Sequence, residues 1–105
     1  MYVLIVEYLV PLERIDEIRP AHVEYLHRHY ADGTFLVSGR KDPPAGGVIV
    51  AADVDRDRLE AITATDPYVT EGVARYQVVR FNPGQVADGV RDALAAAGVD
   101  LSWAS

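Results

Sequence analysis

The 105-residue sequence predicts an α+β fold in which one antiparallel four-stranded sheet carries two helices on one face. Three observations support this. Strand-like and helix-spaced apolar runs follow one another in the order β-α-β-β-α-β. The first and last strand-like runs are apolar on both sides. The chain has the length of one domain, with half its residues hydrophobic and a quarter charged, a balance that fits neither a disordered tail nor a membrane protein.

Tyr2 to Leu9 is almost continuously apolar and stops before Pro11, as a strand buried on both faces does. From Leu12 the period changes. Leu12, Ile15, Ile18, His22, Leu26 and His29 are spaced three or four apart, which places them on one helix face. Pro20 removes a helical hydrogen bond, so the pattern predicts an initial turn near 12–18 and a regular helix from Pro20 to about Tyr30. Gly33 supplies its left-handed cap. Thr34–Ser38 and Val48–Ala52 read as short strands. The run from Gly39 to Gly47 is rich enough in Gly and Pro to read as the loop between them. Asp55 or Asp57 caps a second helix with Leu59 and Ile62 inside, and Asp66-Pro67 stops it. Val73 to Phe81 is the fourth strand. This order has one common solution, the ferredoxin-like split βαβ arrangement.

Two helices cover one face of such a sheet. The first strand is nevertheless apolar on both sides, with Tyr2, Leu4, Val6 and Tyr8 on one and Val3, Ile5 and Leu9 on the other. The last repeats this with Ala74, Tyr76 and Val78 against Val73, Val79 and Phe81, so the uncovered face is apolar too. Monomers avoid exposed patches of that kind, so a homodimer is expected. The domain is expected over residues 1–83. Residues 84–105 would form a separate C-terminal piece: a helix near Gln85–Ala97, with Val86, Val90, Leu94 and Ala97 on one face, then an apolar tail. That piece is expected to pack on the domain or on the dimer partner.

Composition excludes several functions. Ten basic residues against sixteen acidic ones, scattered and with a net charge of −6, offer no patch for a phosphate backbone, so nucleic-acid binding is not expected. The absence of cysteine excludes disulfides and thiolate chemistry. No apolar run reaches the ~20 residues needed to span a bilayer, and the opening residues lack a signal-peptide pattern, so a cytoplasmic protein is expected. His22, His27 and His29 share one helix and match no zinc or iron spacing, so no metal is expected.

His22 stands apart from the other two because it occupies a slot in the apolar stripe. The predicted helix start at Pro20 would also put it at the positive end of the helix dipole, favouring a neutral ring suited to a base. A buried structural histidine is the competing reading. Asp66 reads either as an N-cap followed by Pro at the first helical position, or as a carboxylate that orients an imidazole. Ser38 lacks a nucleophile signature and reads as a hydrogen-bonding residue.

Taken together, Arg19-Pro-Ala-His-Val-Glu-Tyr-Leu26, Asp32-Gly33, Ser38-Gly39 and Asp66-Pro-Tyr-Val-Thr-Glu-Gly-Val73 resemble the YCII-related family, from the first strand to about Pro83. The resemblance implies a dimeric α+β barrel and a pocket where a histidine and an aspartate meet, positions that fall on His22 and Asp66. Arg40 and Gly46-Gly47 depart from the family pattern, in which a proline and a Gly-Ser pair are usual. Family reactions such as loss of chloride from a chlorinated hydroxyquinol, and the reaction of the similarly folded muconolactone isomerase, transfer protons at an activated carbon without a cofactor.

The expected function is therefore a cofactor-independent isomerase or lyase acting on a small, ring-derived organic molecule. His22 and Asp66 would be catalytic, with Arg19, Ser38, Gly39, Arg40 and Tyr68 contacting substrate. The alternative is a non-catalytic small-molecule-binding or accessory dimer whose His-Asp pair is structural. A heme- or flavin-handling barrel shares the fold, but nothing in the sequence provides cofactor recognition.

Overall fold

Two strands with β-branched and aromatic side chains, β1 (Tyr2–Tyr8) and β3 (Gly46–Ala51), pair at the centre of the sheet, flanked by β2 (Phe35–Arg40) and β4 (Ala74–Arg80). The order is β2-β3-β1-β4 and every pairing is antiparallel, giving the ferredoxin-like α+β architecture. α1 (Leu12–Ala31) links β1 to β2, while α2 (Arg56–Thr63) and the single turn α3 (Pro67–Thr70) link β3 to β4. α4 (Asp88–Ala96) follows the sheet. The computed structural model describes residues 1–104, so Ser105, the last residue of the expected tail, lies outside the described residues.

Alternation along the strands sorts the side chains. Tyr2, Leu4 and Val6 of β1 are buried beneath the helices with Ile49, Ala51 and Ala74. Ile15, Ile18 and Tyr25 of α1, with Leu59 and Ile62 of α2, close the core from above. Val3 and Ile5 face the other way and are only half-buried, so β1 is not sealed on both sides within one chain. On that outer face Val37 and Val79 are exposed. Val99 is buried there beside Met1 and Ala52, with Leu36, Val50, Leu94, Ala97 and Leu101 packed around them. Val90 of α4 lies outside this cluster, exposed, contrary to the expected helix face.

Three expectations need correction. α1 does not restart at Pro20 but runs unbroken from Leu12 to Ala31 with Pro20 inside it. One missing hydrogen bond is outweighed because residues on both sides of the proline are buried in the same core. His22 therefore lies in mid-helix, about 15 Å from the N-terminus at 1.5 Å per residue, beyond the reach of the helix dipole.

The second correction concerns the Gly-rich run. Gly39 and Arg40 belong to β2, and Gly46 and Gly47 to β3, leaving only residues 41–45 as the connection. Here glycine serves close packing within the sheet. A Cβ on Gly46 would lie 1.9 Å from the Val6 carbonyl oxygen, so no other residue fits there without moving β3 off β1. The third correction is smaller: Asp55 occupies the N-cap position of α2, but its side chain makes no capping hydrogen bond.

β2 carries an irregularity that the sequence pattern does not announce. Phe35 pairs with Ala51 and Val37 with Val50, so Leu36 is an extra residue on β2. The bulge resets the alternation. Phe35 is buried on the helix side, and beyond the bulge Ser38 and Arg40 return to that side, paired with Ile49 and Gly47.

Candidate functional site

Helical spacing puts Arg19, His22, Val23 and Leu26 on one face of α1, at i, i+3, i+4 and i+7. That face meets the sheet along a pocket of about 150 Å³. Val6 and Tyr8 of β1, Ser38, Gly39 and Arg40 of β2, Gly47, Val48 and Ile49 of β3, and Tyr68 of α3 complete the lining. A cavity of this volume accommodates a benzene-sized ring. Six of the seven residues expected at the site line it: Arg19, His22, Ser38, Gly39, Arg40 and Tyr68. The seventh, Asp66, is fully buried behind His22.

Asp66 fills both of the roles that its sequence context left open. It is the N-cap of α3, where its Oδ1 accepts the backbone N–H of Tyr68 at 2.9 Å and Pro67 takes the first helical position. The same Oδ1 accepts Nδ1–H of His22 at 2.8 Å, and Oδ2 accepts the hydroxyl of Tyr76 at 2.6 Å. A carboxylate can only accept, so when the ring is neutral this bond makes Nδ1 the protonated nitrogen and leaves the lone pair on Nε2. Nε2 has no hydrogen-bond partner among the described residues and is not among their sealed, unpartnered polar atoms. The ring also stacks on Tyr68, with centroids 3.9 Å apart and planes 12° from parallel. Imidazole orientation is thus held by a buried carboxylate at one edge and an aromatic face beneath.

Behind Asp66 lies a phenol pair, with the Tyr25 and Tyr76 hydroxyls 3.4 Å apart. Burial, then the neighbouring Tyr25 phenol and the Asp66 carboxylate, pushes the Tyr76 hydroxyl far above its ordinary range, so Tyr76 stays a donor to Asp66. Burial likewise raises Tyr25, and raises Tyr68 to about 12.

The rim carries two cations. Arg19 is exposed and makes no ion pair among the described residues. Arg40 donates to Asp16 Oδ1 at 2.7 Å and, through Nε, to the Tyr8 hydroxyl at 3.3 Å. Ser38 is hydrogen-bonded to the Tyr30 hydroxyl.

Tyr8 and Tyr76 lie outside the seven residues that the sequence assigns to the site. Strand alternation groups Tyr8 with Leu4 and Val6, and Tyr76 with Ala74 and Val78, without showing which side the helices cover. It held no sign of their partners, which lie 32 and 10 residues away. Among the described residues no group of three His, Asp or Glu side chains could hold a metal ion, and no helix is long and apolar enough to cross a membrane.

No curated protein matches this chain in sequence. Among solved structures it is similar to 5-chloro-2-hydroxyhydroquinone dehydrochlorinase, TftG, from Burkholderia phenoliruptrix AC1100, in complex with 2,5-dihydroxybenzoquinone. The TM-score is 0.63 at 22% identity, over 77% of this chain and 93% of that one, a likeness of fold. The YCII-related domain matches residues 1–82, more than three-quarters of the sequence, and the chain belongs to that family.

Proposed function

We propose that the protein is a cofactor-independent enzyme of the isomerase or lyase type, with His22 as the general base for proton transfer at an activated carbon. The single observation behind this reading is the Nδ1–H to Asp66 bond in a ring that leaves Nε2 unpartnered at a ring-sized pocket. In the reaction Nε2 takes a proton from carbon. The C–H electron pair becomes a double bond, and either a leaving group departs with its electrons or the proton returns at another carbon. Asp66 holds the ring and stabilises the imidazolium that forms. Arg19 and Arg40 at the rim favour an anionic substrate, with Ser38, Gly39 and Tyr68 as further contacts. The dehydrochlorinase activity named for TftG, which shares the fold, agrees with this class of reaction.

Solvent-deuterium exchange into a panel of hydroxyquinols and unsaturated lactones, followed by NMR, tests the reading. Wild type is expected to exchange or convert at least one compound. His22→Ala should slow it by about 10²–10⁴-fold, the usual contribution of a general base, with an unchanged circular dichroism spectrum. Full activity in a folded His22→Ala protein would reject His22 as the base. Failure of His22→Ala to fold would favour the structural role of the pair, as in a binding or accessory protein.

The working form in this proposal is a homodimer that covers the outer sheet face, where Val37 and Val79 are exposed beside half-buried Val3 and Ile5. Action in the cytoplasm and a division of the chain near Pro83 belong to the same proposal.

A further inference from the structure

Tyr8 ends β1 on the helix-facing side and lines the same pocket as His22. Both rings pack on Tyr68: His22 is stacked on its face, and Tyr8 meets it at 80° with centroids 5.9 Å apart. Tyr8 oxygen accepts from Nε of Arg40, and the guanidinium carbon lies 5.8 Å from the Tyr8 ring centroid. Asp16 holds the same guanidinium by a 2.7 Å bond, so the cation is anchored from α1.

The hydrogen-bond inventory then leaves one group over. Arginine only donates, so the Tyr8 oxygen is the acceptor in that contact, and its own O–H hydrogen has no acceptor among the described residues. A phenol donor polarised by a fixed cation is therefore presented at a pocket whose other functional group is an imidazole lone pair.

We infer that Tyr8, polarised by Arg40, is the oxyanion donor of this site, and that the substrate carries a carbonyl or quinonoid oxygen conjugated to the carbon that loses its proton. This inference rests on the base assignment above and names the substrate class for the same site. When Nε2 of His22 removes the proton, the C–H pair forms a C=C bond and the carbonyl π pair moves onto oxygen. The resulting oxyanion accepts the Tyr8 O–H bond next to the Arg40 charge. No electrons leave the system and no co-reactant is needed. Fixed donors at the point where charge develops are the largest single contribution in many enzymes. Arg40 and Asp16 are positioning residues in this scheme.

Equilibrium binding of 2,5-dihydroxybenzoquinone, followed by its visible absorbance, tests the inference without requiring turnover. Wild type is expected to bind and shift the absorption band. Tyr8→Phe, which keeps the ring against Tyr68, should weaken binding at least tenfold and abolish the shift. Arg40→Gln should weaken it as well, and the double variant should lose less than the product of the two single losses, because the pair acts as one donor. His22→Gln should still bind the probe, which separates this donor from the base. Tyr8→Phe binding with wild-type affinity and band position would overturn the inference, as would absence of binding to wild type. Loss of exchange in His22→Ala with normal probe binding would leave the Tyr8 assignment standing, whereas normal exchange there would overturn the base alone.

Discussion

At the residue scale the centre of the molecule is Asp66. It accepts from a backbone N–H, an imidazole N–H and a phenol, and all three donors are used up in a fully buried place. The three acceptor roles predict how substitutions differ. Asp66→Ala removes the α3 cap and strands the His22 and Tyr76 donors, and is expected to cost about 2–4 kcal/mol in urea denaturation. Asp66→Asn keeps a carbonyl oxygen for Tyr68 and His22, and its amide can donate to the Tyr76 oxygen, so its cost should be less than half of that. Nitrogen NMR of the His22 ring is expected to show the Nδ1–H tautomer in wild type. The opposite tautomer would place the lone pair against Asp66 and remove the geometric basis for a base at the pocket.

Elements position these residues by packing more than by propensity. Pro20 sits within α1, yet the helix continues because its buried face spans both sides of the proline. That continuity keeps Arg19, His22 and Val23 in phase with Leu26, so four side chains of one helix reach one pocket. β2 does the corresponding work from below. Without the extra residue at Leu36, Ser38 and Arg40 would alternate onto the outer face, away from α1. Close approach of β3 to β1 depends on Gly46. Gly46→Ala puts a methyl group into the Val6 carbonyl and is expected to lower stability by about 1–3 kcal/mol or more, read as a shift in the urea midpoint. An unchanged midpoint would mean that β3 can move off β1 without loss.

For the whole molecule, three phenols, of which Tyr25 and Tyr68 are buried and Tyr76 half-buried, make a prediction about alkaline pH. Tyr25 and Tyr76 are raised well above the ordinary value near 10, and Tyr68 to about 12, in each case first by burial. The sign follows from proton binding. Between pH 10 and the raised values the unfolded chain has released these protons and the folded chain has not, so stability falls as pH rises. It is fully present below pH 10 and is lost through the interval above it. Alkaline unfolding is expected to begin above pH 10, and Tyr25→Phe should make the fall shallower while changing stability at pH 7 by no more than about 1 kcal/mol. Equilibrium unfolding at stepped pH measures both. The outer sheet face gives the other prediction at this scale. Sedimentation should report about twice the 11.5 kDa chain mass, and Val37→Glu should shift it towards the single-chain value without unfolding.

Much of this architecture is legible in the amino-acid order. Element types and succession follow from apolar periods of two and of three to four, which register which face of each segment is buried. His22 in the inward stripe of α1 and Asp66 before a proline are visible for the same local reason. The family resemblance implies that His22 and Asp66 meet, but only tertiary structure decided that one carboxylate serves cap and imidazole together, because His22 is 44 residues away and no local pattern records such a bond. It likewise decided that Gly39 and Arg40 extend β2, that the bulge at Leu36 turns Ser38 and Arg40 towards α1, and that Tyr8 meets Arg40. These depend on pairing and close contact between segments far apart in the chain. The energy of such contacts is set by register and shape across the sheet rather than by the preferences of neighbouring residues.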